Sequence, residues 1–143
     1  MTVATHLAAA LTSIALAAAP VGVGAQAHSR EPHRHPEGEK LANPVQRTPE
    51  SVKAGAGTYA KLCANCHGPY GLANTRLAVG MAAYGARPSN LVDAEWIHGS
   101  TDGEIFAVIR DGVGPEFHMP KFEGKLSDED LWHLVNYIRS IGI

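Results

Sequence analysis

Two cysteines three positions apart, followed directly by a histidine, constrain this chain more than any other feature. Cys63-Ala64-Asn65-Cys66-His67 contains both cysteines of the 143-residue sequence. On one helical turn, positions i and i+3 project to the same side, so both thiols can form thioethers with the two vinyl groups of one haem. His67 can then bind the haem iron. The spacing therefore predicts one covalently attached haem c, held by Cys63, Cys66 and His67.

A Cys-x-x-Cys pair can also serve as a redox dithiol or as half of a zinc site. A zinc site requires a second ligand pair at comparable spacing, and a thioredoxin-like dithiol requires a β-α-β context. The helical pattern of this chain offers neither. Haem attachment is the favoured interpretation. Because c-type haem is attached outside the cytoplasm, this interpretation requires that the protein is exported.

The N-terminal segment has the pattern of a secretory signal. Residues 1–27 lack Asp, Glu, Lys and Arg, are apolar over residues 7–19, and end in Ala-Gln-Ala, which signal peptidase can read. We predict a cleaved signal peptide over residues 1–27 and a periplasmic location. The alternative is an uncleaved anchor, which would be the only membrane contact, but Pro20 and Gly22 interrupt the apolar run.

Residues 28–50 carry four prolines, alternating charges and almost no large apolar side chains. Such a segment cannot bury enough surface to fold alone, so we predict a disordered tail rich in Pro, His and charge. His28, His33 and His35 could bind a transition metal loosely. A solvated tether is the favoured interpretation.

Three main helices are predicted in the folded domain, residues 51–143. The first begins with Ser51 as its cap and ends in the cysteine motif. The second begins with a capping box formed by Thr101 and Glu104. The third begins at Ser127 and ends at Gly142, and acidic residues in its first turn suit the helix dipole.

The segments between these helices, residues 71–85 and 112–125, are rich in Gly and Pro and too irregular for strands. The predicted fold class is therefore all-α, with helices and loops wrapped around one haem. Residues 51–143 hold eight basic and ten acidic groups. The sequence contains no run of Lys or Arg of the kind that binds nucleic acid, so we exclude nucleic-acid-binding proteins as a class.

Residues 51–143 resemble a class I, mitochondrial-type cytochrome c. The resemblance rests on the cysteine motif, on Gly55 and Tyr59 in the first helix, on Met119-Pro120, and on Tyr137 in the last helix. It implies the cytochrome c fold of a bacterial monohaem protein. In that family a glycine of the first helix lets the last helix cross closely, with one aromatic residue from each helix at the contact.

The iron needs a ligand on the face opposite His67. The candidates are Met81, Met119, His98, His118 and His133. The resemblance favours Met119, because the axial methionine of the family lies on a loop shortly before the last helix. Bis-histidine ligation through His118 remains the alternative by residue type.

Other site residues follow from the resemblance. It places Arg87 and Trp96 where similar cytochromes have donors to the haem propionates. Alternatively, Arg87 is an ordinary surface residue and Trp96 an ordinary core residue. It also places Pro69 where the family orients the proximal imidazole.

A His/Met-ligated iron passes electrons and leaves no open position for oxygen or peroxide. We therefore predict a non-enzymatic electron carrier between redox partner proteins. Its donor would be a quinol-oxidising complex or a dehydrogenase, and its acceptor a terminal oxidase or reductase. Two alternatives remain open: a bound cytochrome subunit of one oxidoreductase, and a haem peroxidase or gas sensor with an open distal side.

Overall fold

The computed structural model describes Met1, residues 33–114 and residues 118–142. Residues 2–27 of the predicted signal peptide lie outside these residues, as does His28. The described residues form helices and an isolated bridge but no strand, which confirms the all-α class. No described helix is both long and apolar enough to cross a bilayer. The helices are α1 (Pro36–Glu39), α2 (Pro49–Leu62), α3 (Ala64–His67), α4 (Arg76–Ala82), α5 (Asp102–Asp111) and α6 (Asp128–Ile141).

α2 and α6 cross at Gly55, as the resemblance predicts. A Cβ atom at this position would lie 2.0 Å from the carbonyl oxygen of His133 and 2.8 Å from the Cβ atom of Tyr137. Only glycine lets the two backbones approach this closely. The rings of Tyr59 and Tyr137 pack beside the crossing, with centroids 4.9 Å apart.

The core lies where α5 and α6 meet the end of α2. The rings of Phe106 on α5 and Trp132 on α6 stack with centroids 4.2 Å apart. Burial of such aromatic and aliphatic side chains supplies most of the driving force for folding. The buried cluster consists of Tyr59, Ile105, Phe106, Ile109, Phe122, Leu131, Trp132, Leu134, Val135 and Ile138.

Two of the three predicted helix starts are confirmed. α5 and α6 each begin with a complete capping box, formed by Thr101 with Glu104 and by Ser127 with Asp130. The predicted cap of α2 was wrong, because Thr48 accepts the capping hydrogen bond and Pro49 occupies the first helical position.

Residues 33–48, here called the N-terminal strap, differ from the predicted disordered tail. The strap includes α1, which packs against α5 through Gly38, where a Cβ atom would lie 2.7 Å from the carbonyl oxygen of Gly103. Asn43 Nδ2 donates to Asn136 Oδ1 at 2.9 Å, and Asn136 Nδ2 donates to the Val45 carbonyl at 3.0 Å. Close glycine contacts and part-buried hydrogen bonds thus hold a segment that has few large apolar residues, of which Val45 packs against the core.

α4 lies within residues 71–85, where we predicted only irregular structure. Thr75 caps it by accepting from the Ala78 N–H at 3.0 Å. Ala78 is fully buried, whereas Leu77 and Val79 are exposed. A short helix in a glycine-rich segment was therefore missed.

Candidate haem site

The cysteine motif lies at the junction of α2 and α3. The His67 N–H donates to the Cys63 carbonyl at 2.9 Å, so the motif makes one helical turn. This turn places Cys63 and Cys66 on one side, and both half-buried thiols line a cavity of about 350 Å³ together with His67. The motif therefore has the arrangement that attachment of one haem requires.

The environment of Cys63 differs from that of a reactive dithiol. Burial raises the pKa of Cys63 to about 11, and the neighbouring Cys66 adds to the shift. Redox-active cysteines show the opposite shift, because the thiolate is the attacking species. The environment of Cys63 thus favours the haem-attachment interpretation over the dithiol alternative.

The imidazole of His67 is fixed by a main-chain acceptor. Its Nδ1 donates to the Ser89 carbonyl at 2.9 Å, which leaves Nε2 as the atom available to a metal. Burial lowers the pKa of His67, against a smaller opposing effect of the Ser89 hydrogen bond, and so favours the neutral form that binds iron. The resemblance pointed to the region of Pro69 and left the accepting carbonyl open; the structure shows that it is the carbonyl of Ser89.

The loop that carries Ser89 is itself held at both ends. The Ala86 N–H donates to the Met81 carbonyl at 3.0 Å, and the Leu91 N–H donates to the Gly71 carbonyl at 2.8 Å. These bonds fix the position of the Ser89 carbonyl. No sequence signal identifies this residue, because every residue carries a carbonyl group.

Met119 lies on the segment after α5 and lines the same cavity as His67. The Val113 N–H donates to the Met119 carbonyl at 2.9 Å. Gly112 has φ +76°, and a Cβ atom there would lie 2.7 Å from the Met119 carbonyl oxygen. The end of α5 therefore holds the backbone of Met119 in place through a glycine that no larger residue could replace without strain.

Residues 50–138 match the family described as cytochrome C oxidase, cbb3-type, subunit III. This match covers more than half of the chain. The chain belongs to this cbb3-type family. Membership agrees with the class I cytochrome c resemblance and implies haem c as the cofactor that the motif and cavity fit.

Two curated relatives are similar to the cbb3-type domain. The cbb3-type cytochrome c oxidase subunit FixP of Azorhizobium caulinodans is 30% identical over 92 residues, covering 64% of this chain and 28% of that protein. FixP of Bradyrhizobium sp. (strain ORS 278) is 28% identical over 89 residues, covering 62% of this chain and 27% of that protein. The chain thus spans little more than a quarter of the length of these relatives.

A solved structure supports the fold. A chain of the Kuenenia stuttgartiensis reducing HAO-like protein complex Kustc0457/Kustc0458 superposes with a TM-score of 0.58 and 24% sequence identity. The match covers 72% of this chain and 50% of that chain. At this identity the likeness concerns the fold alone.

The cavity of the cbb3-type domain gathers most of the candidate residues that the sequence suggested. Besides Met119, the remaining candidates that line it are Met81, His98, His118, Arg87 and Trp96. His133 is not among the lining residues, and its Nδ1 lies 2.8 Å from the Ser51 hydroxyl at the α2–α6 crossing. His133 therefore has a packing role, and the choice of the sixth ligand falls on residues of the cavity.

Proposed function

We propose that this domain carries single electrons through one haem c attached by thioethers to Cys63 and Cys66, with His67 and Met119 as the axial ligands. One observation carries the proposal: four side chains of the required chemistry, from two separate segments, line a single cavity. A bound haem would supply reversible one-electron chemistry at its iron.

The protein residues would bind the haem, orient it and keep water away. The Ser89 carbonyl holds the imidazole of His67, so the direction in which Nε2 points is set before the haem binds. The buried aliphatic residues Ile105, Ile109 and Leu134 line the cavity and give it an apolar wall. A low-dielectric wall restricts access of water to the iron and raises the importance of the few charges nearby.

Ligation by two strong ligands favours electron transfer over catalysis. With both axial positions filled, oxygen, peroxide or carbon monoxide has no open position on the iron. The proposed carrier is therefore not an enzyme by itself. The peroxidase or gas-sensor alternative requires an open distal side and an acid-base pair beside the iron. The sequence offers His118 and Glu116 for this pair, and Glu116 lies outside the described residues.

The similarity to oxidase subunits favours a role within a larger oxidoreductase. Both curated relatives are named as subunits of cbb3-type oxidases. We propose that this domain receives electrons from a quinol-oxidising complex or dehydrogenase and delivers them to a terminal oxidase or reductase in the periplasm. Purification from native membranes and periplasm tests this role: co-purification with a larger catalytic chain supports a subunit, and a soluble monomer supports a diffusible carrier.

Absorption spectroscopy tests the axial ligands. Spectra of the ferric and ferrous protein are recorded for the parent, for Met119→Ala, and for the matched control Met81→Ala, which alters another methionine of the same cavity. We expect the weak near-infrared band of methionine-ligated ferric haem in the parent and in Met81→Ala, and its loss in Met119→Ala. A band that survives Met119→Ala would rule out Met119 as the ligand.

Covalent attachment is tested separately. After denaturation, haem should stay on the parent polypeptide, as measured by mass spectrometry. A Cys63→Ala, Cys66→Ala double variant should lose it. Haem that dissociates from the denatured parent would contradict thioether attachment, whatever the axial ligands are.

A further inference from the structure

The N-terminal strap contacts the wall of the haem cavity through one buried carboxylate. Arg34 on the strap donates from Nε to Glu104 Oε1 at 2.6 Å and from its terminal nitrogen to Oε2 at 3.1 Å. The Glu104 side chain is 0% exposed, whereas that of Arg34 is 57% exposed. The strap thus supplies a cation, from the surface, to a carboxylate that solvent does not reach.

The same carboxylate organises the segment that leads out of the cavity wall. Glu104 Oε2 accepts hydrogen bonds from the N–H groups of Ser100 and Thr101, each at 3.0 Å. Gly99 lies against it, since a Cβ atom there would lie 2.3 Å from Glu104 Cδ. Glu104 therefore supports the end of the segment whose residues 95–99 line the cavity.

A second contact joins the strap to this wall. The His33 N–H donates to the Ile97 carbonyl at 3.2 Å, and the His33 and His98 rings pack with centroids 4.8 Å apart. Ile97 and His98 both line the cavity. The strap and the haem cavity are therefore separated by a single layer of chain.

The charge of the pair is balanced in the folded protein. Burial opposes ionisation of Glu104, but the Thr101 and Arg34 hydrogen bonds outweigh it and hold the pKa of Glu104 at about 2. The carboxylate is thus ionised at neutral pH and is matched by the Arg34 guanidinium. Removal of Arg34 would leave a negative charge buried one layer from the cavity.

We propose that Arg34 is a positioning residue of the haem site, which holds the cavity wall through Glu104 and cancels the negative charge of Glu104 beside the haem. This role rests on the proposed function, because it acts on the reduction potential of the bound haem. It assigns to residues 33–48 a part in electron transfer.

The charges of Arg34 and Glu104 predict the direction in which the midpoint potential of the haem shifts when either charge is removed. Reduction adds one electron to the ferric iron, with no other change in the proposed carrier, so the oxidised site carries one more positive charge. An unbalanced buried carboxylate stabilises the oxidised site and lowers the midpoint potential, and an unbalanced cation has the opposite effect. Burial of Glu104 limits screening by solvent and salt.

Redox titration of the haem-loaded full chain tests this proposal with four variants. Arg34→Gln removes the cation, Glu104→Gln removes the carboxylate, and a double variant removes both. Lys40→Gln is the matched control, because it also removes one positive charge from the strap, but from an exposed side chain whose ion-pair partner among the described residues is the exposed Glu37. The ferric spectrum of each variant is recorded to verify haem content and axial ligation.

We expect the midpoint potential to fall in Arg34→Gln and to rise in Glu104→Gln. The double variant should lie between these two, and Lys40→Gln should match the parent. Should Arg34→Gln prevent folding, the rise in Glu104→Gln carries the test. Equal potentials in Glu104→Gln and the parent would overturn the proposal, as would a shift in Lys40→Gln equal to that in Arg34→Gln.

The two proposals fail in different ways. Loss of the proposed function would show in the parent, as missing covalent haem or missing methionine ligation. A purely structural role of Arg34 would show as a lower unfolding temperature in Arg34→Gln with haem spectrum and midpoint potential unchanged.

Discussion

The α2–α6 crossing yields the sharpest prediction about stability. In a Gly55→Ala variant, the new methyl group would lie 2.0 Å from the His133 carbonyl oxygen and 2.6 Å from its carbonyl carbon. These are backbone atoms of α6, so no side-chain rotation relieves the clash. The helices must separate, and the paired rings of Tyr59 and Tyr137 must move with them.

The magnitude follows from two opposing effects. Overpacking costs about 1–3 kcal/mol, and a clash with rigid backbone belongs at the upper end of that range. Alanine regains about 1 kcal/mol of helix propensity over glycine. The net loss in the free energy of unfolding is thus about 2 kcal/mol, which for a domain of this size lowers the unfolding temperature by about 8–16 °C.

Thermal unfolding of the haem-loaded protein, followed by far-ultraviolet circular dichroism, measures the effect. Gly57→Ala is the matched control, because Gly57 lies in the same helix with no atom within 4 Å of its ideal Cβ position. That variant should gain about 0.5–1 kcal/mol from propensity alone. A Gly55→Ala protein as stable as Gly57→Ala would refute the argument that the crossing requires glycine.

Two further predictions concern a helix cap and acid stability. Ser127→Ala should lower the free energy of unfolding by about 1 kcal/mol, as measured by urea titration. The reason is that the α6 N-terminus loses the hydroxyl that accepts from the Asp130 N–H at 3.1 Å. Ser140→Ala, near the other end of α6, should have a smaller effect. Because the pKa of Glu104 falls from 4.5 to about 2 in the folded protein, its stabilisation is complete above pH 4.5 and is lost as the pH falls towards 2. Unfolding measured between pH 6 and pH 3 should therefore show a weaker pH dependence in Glu104→Gln than in the parent, and equal slopes would contradict this account.

Local signals predicted much of the fold. The capping boxes of α5 and α6 were predictable because both partners lie within four residues of sequence. The start of α2 was not, because the Ser51 hydroxyl takes part in a tertiary contact and accepts from Asn136 Nδ2 at 2.8 Å. Pro49, at the first helical position, was the signal that could have placed the cap at Thr48.

The N-terminal strap shows why composition misled the domain prediction. Low apolar content usually indicates disorder, because a segment must bury surface to offset its ordering entropy. In the strap, small and polar residues make contacts that hold the segment in place. Gly38 packs against α5, and Arg34 donates to the carboxylate of Glu104, 70 positions along the chain. Such contacts depend on residues distant in sequence, so no local pattern reveals them.

The candidate haem site divides in the same way. The cysteine motif predicted Cys63, Cys66 and His67 as haem-binding residues, and the resemblance predicted Met119. All four residues line one cavity, and their roles stay predictions. The assignment of Arg87 and Trp96 to the propionates stays a prediction, although both residues line the cavity. The partner of the imidazole could not be predicted, because it is a backbone group.

The bond from His67 to the Ser89 carbonyl has an evolutionary consequence. An acceptor provided by the main chain persists when the side chain at position 89 changes, provided that the loop keeps its path. Selection on the orientation of this imidazole would then act on the residues that shape the loop rather than on residue 89 itself. Variants at position 89 that alter only the side chain should be tolerated, and a comparison of sequences would give no hint of the position's role.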